Sequence, residues 1–226
     1  MSLHPRKRSD EDKEWMQRRT DRQKKIHPEY HLIIAEGTKT EPNYFNAIKK
    51  IINSNYSDRI QLEVFGTGKN TLTLFDYAQK RAKDPNGYKH VWVVYDKDDF
   101  PAEHFNATAE LCRINSSKNI TYHAIWSNQC IELWFLLHFD YLQSDITREE
   151  YFPKLDKRLK QLNKGDYKKN RDDMFDILFP FIDTAIKNAK KLYSAKVELT
   201  PTEASPCTTV FQLLECLLPY INKENA

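Results

Sequence analysis

The chain has 226 residues, 40% of them hydrophobic and 30% charged, with a net formal charge of only +3. That length buries one proper core with an appended subdomain, and the balance excludes an intrinsically disordered chain and a membrane protein. With 5 Gly against 12 Tyr and 12 Phe, the chain reads as helices and compact strands, not as a loop-rich sandwich.

Charge is unevenly spread along the chain. Residues 1–27 hold nine Lys or Arg and five acids, a net +4 that leaves −1 for the rest. This segment is either a solvated tail or an arm that neutralises nucleic-acid phosphates. Tyr30 to Glu36 is a short, mostly apolar run ending at Gly37, the pattern of a buried parallel strand. Pro42 then sits in the first turn of a helix whose Phe45, Ile48 and Ile52 share a face. Ile60, Leu62 and Val64 alternate as a half-buried strand, followed by Gly66-Thr-Gly-Lys-Asn-Thr71 and a helix carrying Phe75 and Ala78. Asn86-Gly87 marks a turn.

Val91 to Tyr95 is the most strand-like run, β-branched or aromatic throughout, and it ends in Asp96-Lys-Asp98-Asp99. Pro101 opens a helix with Phe105, Ala109 and Cys112 on one side. Ile120 to Trp126 gives a fourth strand, and Ile131 to Phe139 a buried helix. Strands alternating with helices predict an α/β fold over residues 28–140, with a parallel sheet of about four strands. Beyond Asp140, Tyr151, Leu155, Leu159 and Leu162 share a helical face, as do Phe175, Leu178, Ile182, Ala189 and Tyr193. A last helix runs through Val210, Leu213, Leu214 and Leu217, with Thr208 or Thr209 as its cap. Residues 141–226 are therefore expected to be a helical extension packed on the sheet.

Cys112, Cys130, Cys207 and Cys216 form no C-x-x-C pair, and the N-terminus is too charged for a secretory signal. They read as reduced core thiols of a cytoplasmic protein. No apolar run approaches the ~20 residues that a membrane span needs.

Ligands of parallel sheets bind at the carboxyl ends of the strands. Glu36 ends the first strand, and Asp96 and Asp98 end the third. On an extended backbone residues i and i+2 share a face, so Asp96 and Asp98 project together, and Glu36 faces them if strands one and three are neighbours. Lys97 points the other way. Three clustered carboxylates repel one another unless a cation sits among them, and oxygen ligands without His or Cys favour Mg²⁺ or Mn²⁺. Asp99, just before a proline-initiated helix, is an ordinary cap. Glu132, a charge within an apolar stretch, is either a further metal ligand or a helix cap.

These residues also carry a resemblance. An acid after strand one and a D-x-D after strand three resemble the Toprim domain of primases, topoisomerases and OLD-type nucleases. The longer pattern resembles the RloB-like family, Toprim-related proteins of bacterial defence loci encoded beside an AAA-type or ABC-type ATPase. It comprises Ile33-Ile-Ala-Glu-Gly-Thr-Lys-Thr-Glu-Pro-Asn-Tyr-Phe45, Gly66-Thr-Gly-Lys-Asn70, Trp92-Val-Val-Tyr-Asp-Lys-Asp-Asp-Phe100 and Trp126-Ser-Asn-Gln-Cys-Ile-Glu132 with its apolar continuation to Phe139. Ser205-Pro-Cys-Thr-Thr-Val210 extends the match, which covers about residues 27–221. The resemblance implies that Glu36 acts as general acid or base and metal ligand while Asp96 and Asp98 hold Mg²⁺. It implies hydrolysis of a nucleic acid in an anti-phage abortive-infection system: RNA, with tRNA by analogy to related effectors, or DNA. Gln129 stands where the pattern has proline, which is expected to loosen that turn.

Other motifs leave their readings open. Gly66-Thr-Gly-Lys-Asn-Thr71 is no Walker A loop, because Glu63 and Asn70 stand where Gly and Ser or Thr are required. It is a plain turn, or one where Gly66, Gly68 and Lys69 contact a phosphate. Gly37 and Lys39 lie beside the acidic group and extend the same phosphate-binding expectation. Ser127 and Asn128 are helix caps or substrate contacts. His138 and three of the four Trp residues belong to the core. Residues 154–171 hold eight Lys or Arg, among them Lys168, as a solvated face or a backbone-binding rim on which Tyr167 stacks a base. Besides a nuclease, the chain fits a non-catalytic Toprim-like adaptor for nucleic acid or the ATPase. A phosphorelay receiver fits less well, since no fifth strand follows with its Lys.

Overall fold

The computed structural model describes residues 28–84 and 87–221. The basic segment 1–27, including Trp15, and Asn86 of the Asn86-Gly87 turn lie outside the described residues. In chain order the elements are β1 (Glu29–Ala35), α1 (Thr40–Asn55), β2 (Ile60–Gly66), α2 (Thr71–Ala82), β3 (His90–Asp96), α3 (Ala102–Asn115), β4 (Thr121–Asn128) and α4 (Glu132–Leu137). There follow α5 (Arg148–Gln161), α6 (Met174–Leu178), a 3₁₀ turn (Phe179–Phe181), α7 (Ile182–Ser194), β5 (Cys207–Thr208), α8 (Val210–Leu217) and a closing 3₁₀ turn (Leu218–Tyr220).

The sheet order is β2-β1-β3-β4-β5. The first four strands are parallel, so each connection must cross a face of the sheet, and α1, α2 and α3 are those crossings. Side chains alternate across the sheet with period two. Ile33, Ala35, Trp92, Val94 and Ile125 face a layer made by α1 and the helices from α4 to α8. Leu32, Ile34, Val91, Val93 and Tyr95 face α2 and α3. Burial on both faces explains why β1 and β3 read as unbroken apolar runs.

One feature departs from the expected four strands. β5 is a two-residue strand, antiparallel to β4, contributed from the segment after residue 140. Ser127 and Thr208 share a hydroxyl hydrogen bond of 2.9 Å, and Thr209 accepts from the Trp126 N–H at 2.8 Å. The two threonines thus stitch β5 to β4. Thr209 is the residue before α8, but its side chain makes no capping bond. The expected helical run from Phe175 to Tyr193 is interrupted at Phe179–Phe181, where Pro180 takes the chain through a 3₁₀ turn.

The larger core cluster draws Tyr44, Phe45 and Ile48 from α1 together with Trp134 and Phe135 from α4, Tyr151 and Leu155 from α5, and Leu214 from α8. Residues from before and after position 140 are packed in contact throughout it. Ile48 and Leu155 are each 0% exposed. Replacing either by Ala is expected to cost ~2–5 kcal/mol, and both variants should melt in one cooperative transition. Two separate transitions in calorimetry would show instead that the C-terminal helices fold as a detachable unit.

Candidate functional site

The carboxyl ends of β1 and β3 and the start of α4 enclose a pocket of about 260 Å³. Glu36, Asp96, Asp98 and Glu132 line it together with Glu41, while Lys39, Arg148 and Lys169 supply positive charge. β1 and β3 are neighbours, with Ala35 opposite Val94, so Glu36 and Asp96 emerge side by side. The Glu36 N–H donates to the Val94 carbonyl at 2.9 Å, continuing the ladder one step past the strand. The Glu36 Oε2 accepts from the Asp96 N–H at 3.2 Å. Asp96 is 8% exposed; its Oδ2 accepts from the Ile131 N–H at 3.0 Å, and its Oδ1 is buried without any hydrogen-bond partner.

Asp98 reaches the pocket by a route the alternation argument did not foresee. β3 ends at Asp96, and Asp98 has φ +34°, in the left-handed region that Asp tolerates better than most residues. Its N–H donates to the Gln129 carbonyl at 3.0 Å, while Lys97 N–H donates to Ser127 O at 3.0 Å. The turn at Gln129 is therefore tied to the D-x-D loop and not loosened; the Asn128–Gln129 peptide is cis. Arg148, the first residue of α5, pairs with Asp98 Oδ1 at 2.9 Å. Lys97 stays out of the pocket, donating to the Phe100 carbonyl at 2.6 Å.

Glu132 is 2% exposed, and its Oε1 accepts from the Tyr167 hydroxyl at 2.8 Å. That bond corrects the base-stacking reading of Tyr167. Its ring packs between Phe135 and Phe152, with centroids 6.4 and 5.7 Å away, and is not free to stack a base. Glu41, 6% exposed in the first turn of α1, was not expected at the site. A Cβ at Gly37 would meet the Glu41 carboxylate, so any side chain there would displace it.

Burial sets the protonation of this group. It raises the Glu36 carboxyl to about 8, with the Asp98 and Glu41 charges adding and the Asp96 N–H opposing. Burial likewise raises Glu41 to about 7, with Glu132 and Asp98 adding. Asp96 lies well above the carboxylate range for the same reason, reinforced by Glu41, Glu132 and Asp98. Burial raises Asp98 too, though Arg148 and Lys169 pull it back.

The remaining expected contacts lie elsewhere. Gly66 packs against the loop after β1, where an added Cβ would come within 2.6 Å of the Gly37 carbonyl oxygen. The Gly68 N–H donates to the Glu36 carbonyl at 2.8 Å. Both glycines thus shape the loop that carries Glu36 without lining the pocket. Lys69 is exposed, with Nζ 5.8 Å from the Tyr77 ring centroid. Ser127 bonds Thr208, and the Asn128 amide donates to the Pro201 and Thr202 carbonyls at 3.1 and 2.8 Å, so neither caps α4. Lys168 is exposed and outside the pocket; its neighbour Lys169 takes the inward position, because the Thr40 hydroxyl donates to the Lys169 carbonyl at 2.9 Å. Arg148 had no local signal in the sequence, whereas Lys169 lies in the basic run 154–171 that was read as a solvated face or a backbone-binding rim.

His138 is buried, with Nδ1 2.9 Å from the Trp134 carbonyl, and Trp92, Trp126 and Trp134 are all core residues, as expected. All four cysteines are free. No helix of the described residues is long and apolar enough to cross a membrane.

No curated protein and no solved structure matched the chain in comparison searches. The sequence model of the RloB-like protein family matches residues 31–217, a span that includes β1 with Glu36, the D-x-D loop, Glu132, Arg148 and Lys169. With most of its length matched, this chain belongs to the RloB-like protein family.

Proposed function

We propose that this chain is a Toprim-type, Mg²⁺- or Mn²⁺-dependent nuclease that hydrolyses phosphodiesters of RNA, possible substrates including tRNA, or of DNA. In this reading it acts in the cytoplasm as the effector of an anti-phage abortive-infection system, beside an AAA-type or ABC-type ATPase. The observation that carries the reading is the convergence of five carboxylates in one pocket flanked by three basic side chains. Acids alone suit a cation, and cations alone suit a phosphate. Side by side they suit a phosphate ester held against a metal.

The donor set fits Mg²⁺ or Mn²⁺. All candidate ligands are carboxylate oxygens, and the buried Asp96 Oδ1 is an acceptor that nothing among the described residues satisfies. Glu36, Asp96 and Asp98 would hold the ion, with Glu132 completing the set. When bound, it supplies charge neutralisation at the phosphate and an activated water. Glu36, poised near 8, is suited to hold or pass a proton at neutral pH. Arg148, Lys169 and Lys39 supply donors for the non-bridging phosphate oxygens. An adjoining cleft of about 430 Å³ shares Asp98, Arg148 and Lys169 and adds Asp99, Gln129, Thr147, Glu149 and Phe152, which would give the strand a path out of the pocket.

Two outcomes are expected. The purified chain should cleave RNA or DNA with Mg²⁺ or Mn²⁺, and Glu36→Gln and Asp96→Asn should each lower the rate about 10²- to 10⁴-fold. Cleavage unchanged in both variants would assign the activity to another site or a contaminant. Absence of cleavage by the wild type, with the ATPase still co-purifying after loss of the carboxylates, would favour the adaptor.

The second outcome concerns pH. Because the folded Glu36 titrates near 8 and its ordinary value is 4.5, the folded chain binds a proton there that the unfolded chain has released. The metal-free protein should thus lose stability as pH rises from about 4.5 through about 8. Thermal melts across that window should show a falling Tm, a flatter profile for Glu36→Gln, and recovery on adding Mg²⁺. A wild-type profile parallel to that of the variant would refute the assignment.

A further inference from the structure

The amino ends of β1 and β3 carry a second cluster of ligand-type side chains, which the acidic pocket does not use. His31 lies opposite His90 in the β1–β3 register, and Glu29 precedes His31 by two residues on the same face. One ligand atom from each of Glu29, His31 and His90 lies within 4.8 Å of the others. His31 is 2% exposed, and its Nε2 is buried with no hydrogen-bond partner; the nearest acid oxygen, Glu29 Oε2, is 3.6 Å away. We infer that Glu29, His31 and His90 form a cation site for a borderline transition metal of the Zn²⁺ type, separate from the acidic pocket.

Two imidazoles and one carboxylate suit Zn²⁺ and related ions, and disfavour Mg²⁺, which takes oxygen donors. Ligands about 2.1 Å from a tetrahedral ion sit roughly 3.4 Å apart, so small side-chain shifts close the triad. The surroundings match what such ligands require. His90 Nδ1 lies 2.9 Å from His123 Nε2; with His90 as the donor, its own Nε2 lone pair is left for a metal. Glu29 Oε1 is paired with Lys89, which leaves Oε2 toward His31. Burial also lowers His31 and His123 to about 4, so both rings are neutral at physiological pH. One bond competes. The Trp92 indole N–H donates to His31 Nδ1 at 3.3 Å, which keeps the imidazole proton of His31 on Nε2. Metal capture at Nε2 shifts that proton to Nδ1 and releases the indole N–H, so Trp92 reports occupancy. No proton leaves the ring overall.

The test uses the full chain, stripped of metal by a chelator and titrated with Zn²⁺ by calorimetry and with Co²⁺ by visible absorption. With the acidic pocket disabled by Glu36→Gln and Asp96→Asn, one Zn²⁺ per chain is expected, with a d–d band for Co²⁺ and a shifted Trp92 indole N–H resonance. His90→Gln and Glu29→Gln, both at half-buried positions, should each weaken Zn²⁺ binding by about 100-fold. Glu36→Gln with Asp96→Asn should leave it intact. Zn²⁺ affinity unchanged in His90→Gln, or lost only in the acidic-pocket variant, would overturn the inference, as would a Trp92 resonance that does not move. Any of these results would leave the histidines as a neutral hydrogen-bonded ladder.

Discussion

A carboxylate taken from water into a protein interior loses hydration that one hydrogen bond does not restore. At the carboxyl end of the β1–β3 pair, five carboxylates meet in a single pocket, and much of the surrounding architecture answers that electrostatic problem. Backbone N–H groups of Asp96 and Ile131 are aimed at the Glu36 and Asp96 carboxyls. Arg148 meets Asp98, and Tyr167 meets Glu132. Protonation absorbs the remainder, as the raised values of Glu36 and Glu41 show.

The helices after residue 140 are part of that answer. Arg148, Tyr167 and Lys169 all come from this segment, and Thr40 and Asn43 at the start of α1 bind the backbone of residues 169–171 to hold it in place. β5 adds a second tie, through Ser127 and Thr208, at the edge of the sheet. The sheet and its first helices position the acids and Lys39, whereas the segment after residue 140 positions Arg148 and Lys169. Neither half makes the charge pattern alone.

Periodicity carried the sheet order's ingredients, because strands buried on both faces must be apolar throughout and helical faces must recur every three or four residues. Glu36, Asp96 and Asp98 were legible for the same reason: strand ends are where a parallel sheet exposes polar groups. What stayed hidden depends on long-range packing. Glu41 looks like any first-turn acid of a helix until Gly37 lets its carboxylate close on the loop. Lys169 lines the pocket in a segment that Thr40 and Asn43, about 130 residues distant in sequence, tie down at residues 169–171. β5 is two residues long, below any period that a pattern detects. Asp98 was found for an incomplete reason, since it turns inward through a left-handed backbone and not along an extended strand. His31, His90 and His123 are far apart in sequence, and only the parallel register of β1, β3 and β4 brings them together.

The two ends of the β1–β3 pair show one physical cause with opposite signs. Burial disfavours charge of either kind. It pushes the Glu36, Glu41 and Asp96 carboxyls upward until they retain protons, and pushes His31 and His123 downward until they have lost them. The same cause therefore acts on both ends, by opposite routes. That is how Leu32, Ile33, Ile34, Val93 and Val94 can form an apolar interior between two groups of titratable side chains. Positive charge is placed at the pocket's margin by Lys39, Arg148 and Lys169.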